Sequence, residues 1–69
     1  MEIYNQRLIK NIKALLAKKG MTAERLAFEA DLAKSHLSRI LSGKRNPSPQ
    51  AIRKIAETLE VDIEELFKK

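Results

Sequence analysis

Between Leu32 and Ala56 the chain carries Lys34, Arg39, Lys44, Arg45, Arg53 and Lys54 and no acid, whereas Glu57 to Glu65 holds Glu57, Glu60, Asp62, Glu64 and Glu65 and no base. Ammonium and guanidinium groups collected in this way suit anions, above all phosphate. A fold built on this chain should have one positive side and one negative side, which is the electrostatic footprint of a phosphate-binding face. The same distribution also fits a solvated surface of uneven composition.

Other chemistries lack residues. There is no cysteine, so disulfides and thiolate metal sites are excluded. The single histidine, His36, has no partners with which to build a zinc site. Ser35 and His36 are sequence neighbours, and neighbours on a helix point apart, so they do not form a nucleophile–base pair. No paired-carboxylate pocket, nucleophile motif or glycine-rich phosphate loop can be written, and 69 residues are few for a roomy cleft. An enzyme, a cofactor, a metal and a small-molecule ligand are therefore not expected. Apolar runs such as Leu8-Ile9 and Leu15-Leu16 are short, so neither a signal peptide nor a membrane span is expected, and the location is cytoplasmic by default.

The elements that must position the cations are helices. The length suits one all-α domain, residues 1–69, which buries only about 60% of its unfolded surface and needs a compact core. The first helix is expected from Asn5 to Lys19. Leu8, Ile9, Ile12, Leu15 and Leu16 fall on one stripe, with Arg7, Lys10, Lys13 and Lys18 off it. Gly20 supplies the left-handed residue that ends it. Thr22 caps the second helix, with Met21 and Leu26 as a hydrophobic staple and Leu26, Ala27 and Ala30 inward. Asp31-Leu32-Ala33 is a joint, and the third helix runs from Lys34 to Leu41 with Leu37 and Ile40 inward. Ser42 to Pro47 is a loop, with Gly43 as C-cap. Ser48-Pro49 starts the fourth helix, whose stripe is Ile52, Ile55, Ala56 and Leu59. A short fifth helix opens with a capping box, Asp62 with Glu65, and a staple, Val61 with Leu66, and Phe67 closes the core. Phe28 lies off the main stripe and is expected as a satellite core contact, Tyr4 as a packing cover, and Lys68 and Lys69 as a solubilising tail.

Two short helices with a three-residue joint must cross steeply, which needs a small residue at the contact, Ala27, and a joint residue that tolerates positive φ, Asp31. The run GMTAERLAFEADLAKSHLSRILSGKRNPS resembles the Cro/cI-type (XRE-like) helix-turn-helix domain. Counting from Ala23, the family's small fifth residue is Ala27. Its apolar fourth, eighth, tenth, fifteenth and eighteenth residues are Leu26, Ala30, Leu32, Leu37 and Ile40, and Asp31 replaces the usual glycine at the ninth. SGKRNPS and KIAETLEVDIEELF resemble the loop and last two helices of the family, so the likeness runs from Ile9 to Phe67. LAFEADLAKSHLSRI is most similar to the controller proteins of restriction–modification systems.

The resemblance implies a five-helix lambda-repressor-like DNA-binding domain, with the motif at residues 23–42 and the third helix in the major groove of double-stranded DNA. Lys34, Ser35, Ser38 and Arg39 would then meet bases, with His36 at the edge. Thr22, Ala23, Ser42, Lys44 and Arg45 would meet phosphates. Read as residues alone, Arg39, Lys44 and Arg45 are also compatible with solvated surface charges, and His36 more often holds an ordinary surface position than reads a base. The implied function is a transcriptional regulator, such as a repressor, that binds a pseudo-palindromic operator as a homodimer, with Val61, Ile63 and Phe67 as the suspected dimer surface. The alternative is a protein-interaction module, such as an antitoxin or adaptor, that keeps the fold. A membrane-surface peptide fits poorly, because the apolar stripe of the first helix is needed for the core.

Several residues depart from the family pattern. Ala23 replaces a phosphate-binding glutamine, Ala33 a serine cap, and Glu60 a glycine. Asp31 is an alternative cap for the third helix. Leu16 and Leu41 stand where many relatives pair an arginine with a glutamate, so these two leucines are expected to touch.

Overall fold

The computed structural model describes the backbone of residues 3–68 and the side chains of residues 6–68. Four α-helices, α1 (Ile3–Lys19), α2 (Ala23–Glu29), α3 (Lys34–Leu41) and α4 (Pro49–Leu59), are followed by a 3-10 turn at Ile63–Phe67. The expected α1 begins two residues late; the other α starts agree with their caps. The cover expected of the Tyr4 side chain and the tail position of Lys69 lie outside the described residues.

Local chemistry sets the helix starts. The hydroxyl of Thr22 accepts the Arg25 N–H at 3.1 Å, and that of Ser48 accepts the Ala51 N–H at 3.1 Å. Each satisfies one of the donors that a helix start leaves without an intrahelical partner. Ala33 caps α3 with extended backbone and no side-chain bond, and Asp31 does not substitute for it.

All four helices stop by the same device. A left-handed residue follows each: Gly20 (φ 65°), Asp31 (φ 58°), Gly43 (φ 81°) and Glu60 (φ 60°). The next residue then turns its N–H back to a carbonyl five positions earlier: Met21 to Leu16, Leu32 to Ala27, Lys44 to Arg39 and Val61 to Ala56, at 2.8–3.0 Å. This is the Schellman closure. Met21, Leu32 and Val61 lie partly buried against the core, as the hydrophobic contact of that motif requires, whereas Lys44 is exposed. Glycine explains two of these ends. Asp31 occupies left-handed space with less strain than most residues do, and Glu60 bears the ordinary cost.

One core unites the elements. Leu8, Ile12 and Leu16 of α1 meet Leu26, Ala27 and Ala30, Leu37, the α4 stripe of Ile52, Ile55, Ala56 and Leu59, and Leu66. Small Ala27, fully buried, stands at the α2–α3 elbow as expected. Leu41 packs half-buried against the cluster that contains Leu16.

The expected fifth α-helix is a 3-10 turn. The Asp62 side chain makes no cap bond, so the expected capping box does not form, and the Glu65 N–H bonds the Asp62 carbonyl at 2.9 Å instead. The carbonyls at the end of the turn are met by another element. Asn11 Nδ2 of α1 lies 3.5, 2.8 and 2.6 Å from the carbonyl oxygens of Glu65, Leu66 and Lys68. Lys68 is therefore no free tail residue. Its ammonium pairs with Glu65 Oε2 at 2.8 Å, and the hydrogen bond and charge of Glu65 raise its pKa.

Phe28 is also a correction. It is 84% exposed and not a satellite core contact. Leu26, Ala27 and Ala30 take the inward face of the seven-residue α2, which leaves Phe28 on the outer flank with nothing to pack against. No described helix is long and apolar enough to cross a membrane.

Candidate nucleic-acid interface

α3 has two sides. Leu37 and Ile40 are fully buried, which fixes the rotation of the helix. At 3.6 residues per turn the opposite side carries Ser35, Ser38 and Arg39, with Lys34 at its border beside α2, and all four are exposed. His36 is half-buried at the margin of this face. Neither Lys34 nor Arg39 is hidden beneath other protein atoms, and the Lys34 side chain is 73% exposed.

The flanks of α3 carry the other expected residues. Thr22 and Ala23 are exposed where α2 starts. The Thr22 hydroxyl accepts from Arg25, which leaves its own hydrogen free to donate. Ser42 is exposed, but both of its donors are engaged: the hydroxyl with the Arg39 carbonyl at 3.1 Å and the N–H with the Ser38 carbonyl at 3.0 Å. Lys44 and Arg45 are exposed in the following loop, and the Lys44 backbone is tied to Arg39 by the Schellman closure.

Two residues join this surface that sequence reasoning did not single out. A cleft of about 360 Å³ runs between α1, α2 and α3, lined by Lys13, Ala23, Glu24, Lys34, Leu37, Ser38, Leu41 and Ser42. Lys13 also lines the adjoining cleft with Gln6, Lys10 and Gly43. A signal for Lys13 was present. If Leu16 lies beside Leu41, the residue one helical turn before it shares that side of α1. Glu24 had no such signal, since only the elbow brings it to Lys34, ten residues later. Lys34 Nζ donates to Glu24 Oε2 at 3.2 Å. Among the described residues it is the one ion pair that joins two helices. Arg25–Glu29 and Lys68–Glu65 are local pairs.

No described group of His, Asp and Glu side chains could hold a metal ion. The surface offers ammonium, guanidinium, hydroxyl and backbone N–H donors on an exposed helix. That is equipment for hydrogen bonding to anions and base edges.

Comparison with known proteins gives the class. The helix-turn-helix family model matches residues 12–66, and the chain belongs to that family. Among individual relatives, the chain is 42% identical over 57 residues to the HTH-type transcriptional regulator SlrR of Bacillus subtilis (strain 168), covering 81% of this chain and 38% of that protein. It is 43% identical over 52 residues to control protein C.BamHI of Bacillus amyloliquefaciens, covering 75% of this chain and 64% of that protein. The chain thus spans less than two thirds of the length of either curated relative. The crystal structure of the restriction–modification controller protein C.AhdI from Aeromonas hydrophila superposes with a TM-score of 0.83 at 33% identity, covering 88% of this chain and 92% of that one. The controller-protein likeness of LAFEADLAKSHLSRI thus has counterparts in two of these three relatives.

Proposed function

We infer that the chain is a sequence-specific DNA-binding regulator that places α3 in the major groove, as a homodimer on a pseudo-palindromic operator. The observation that carries this is the rotation of α3. Burial of Leu37 and Ile40 leaves Lys34, Ser35, Ser38 and Arg39 as its outward face. Arg39 is suited to the O6 and N7 acceptors of guanine, worth about 1–3 kcal/mol of discrimination. Lys34 is suited to guanine as well, Ser35 and Ser38 to either base or backbone, and His36 to the groove edge. Phosphates would be held by the Thr22 hydroxyl, the Ala23 N–H, Lys44 and Arg45, and by Ser42 once its hydroxyl turns from Arg39. Lys13 extends the phosphate path onto α1. One α3 of eight residues reads few base pairs, so specific affinity calls for two copies about 34 Å apart on the duplex. Ile63, 40% exposed beside half-buried Val61 and Phe67, is the proposed dimer contact. One relative is a control protein and another a restriction–modification controller protein, which supports a regulatory role, acting in the cytoplasm.

The test is selection of bound sequences from random duplexes, followed by affinity measured against salt. A DNA reader enriches one motif, and log K falls with log salt at a slope near −0.9 per phosphate contacted. No enriched motif together with a flat slope would favour a protein-interaction module. Exposed Phe28 is the specific observation on that side.

A further inference from the structure

An acid stands in the middle of the surface that should meet a polyanion. Glu24 is the second residue of α2, Lys34 is the first of α3, and their charged ends meet at 3.2 Å across the elbow. Both side chains are more than two-thirds exposed, 71% and 73%. A pair so exposed contributes little to stability, so holding the elbow is a poor account of it. The elbow is already fixed by buried Leu26, Ala27 and Leu37 and by the closure from Leu32 to Ala27. What the pair does change is how Lys34 meets a ligand.

We propose that Glu24 is the residue that makes Lys34 a base reader in place of a phosphate contact, an inference that rests on the DNA-binding function proposed above. Two effects act together. The carboxylate offsets the ammonium charge locally, so a phosphate placed at Lys34 itself gains little from it. It also engages one of the three ammonium N–H groups and fixes the direction of the other two. A guanine edge, with acceptors at O6 and N7, can take both, whereas a phosphate is selected by net charge. Glu24 is then a positioning residue. It acts through Lys34, lowers affinity for DNA of any sequence, and raises the ratio of specific to non-specific binding.

The experiment uses the full chain with its selected duplex and a scrambled duplex, each across a range of salt, for wild type, Glu24→Gln and Glu24→Asp. Glu24→Gln removes the charge and keeps the shape. It should tighten binding to the scrambled duplex, steepen the slope of log K against log salt by about 0.9, and reduce the specific-to-non-specific ratio about fivefold or more. Glu24→Asp keeps the charge but shortens the reach. It should retain the wild-type slope while losing preference at the base pair read by Lys34. Wild type that discriminates between the duplexes, with both variants matching it in slope and ratio, overturns the proposal for Glu24 while the DNA-binding function stands. Wild type that does not discriminate refutes that function first, and the role of Glu24 with it.

Discussion

The carboxamide of Asn11 donates to the carbonyl of Leu66, 55 residues away, at 2.8 Å, and so fastens the end of the chain to α1. The Glu65 and Lys68 carbonyls lie on the same nitrogen. This one polar side chain supplies a donor to carbonyls that the end of the turn leaves open, and it fastens the turn that carries buried Leu66. Asn11→Ala leaves partly buried carbonyls short of a donor and should lower stability by about 1–3 kcal/mol. In a domain of this size that is a fall in Tm of roughly 4–8 °C per kcal/mol. An unchanged urea midpoint would show that Leu66 burial alone holds the turn.

The four Schellman ends are not equally relaxed. Glu60 adopts φ 60° with a side chain that disfavours it, and Asp31 adopts φ 58° with one that tolerates it. Glu60→Gly should stabilise by about 0.5–1 kcal/mol, the relief of left-handed strain less the extra freedom glycine gives the unfolded chain. Asp31→Gly should come close to neutral. Chemical denaturation of the two variants side by side tests this ranking, and a larger gain at position 31 would contradict it.

α3 starts without a side-chain cap. Ala33 holds φ −64° and ψ 138°, extended backbone like that of the capping residues Thr22 and Ser48. Ala33→Ser should therefore find its hydrogen bond without rearrangement and add about 0.5–2 kcal/mol, read as a shift of the urea midpoint at constant m. A loss of stability would mean that the start of α3 is held by something other than backbone geometry.

Phe28 touches too little to matter for folding. Phe28→Ala should change stability by no more than about 0.5 kcal/mol, against the roughly 3–5 kcal/mol of a core phenylalanine. A core-sized loss in thermal denaturation would place Phe28 inside.

Much of the helical frame was legible because its signals are local and redundant. Thr22 and Ser48-Pro49 announce helix starts, Gly20 and Gly43 announce ends, and Leu37 with Ile40 sets the outward face of α3. Three things were not legible, each for a physical reason. Phe28 is apolar, and apolarity alone does not say that a partner is within reach. The fastening of the 3-10 turn to α1 rests on Asn11, which reads as a surface residue until the fold brings residues 11 and 66 together. Glu24 reads as an ordinary first-turn acid, favourable beside the helix dipole, until the elbow lays Lys34 against it. Sequence spacing reports contacts within a turn or two, and the last two of these are contacts across the fold.

Base reading by the outward face of α3 stands or falls on Arg39. The measurement is the affinity of wild type and Arg39→Ala for the selected duplex and for each of its single-base-pair variants, at one salt concentration. Arg39→Ala should lose about 1–3 kcal/mol of discrimination at one base pair per half-site and keep the wild-type preference elsewhere. An equal fall in affinity for every duplex, with all preferences intact, would make Arg39 a phosphate contact and contradict the account.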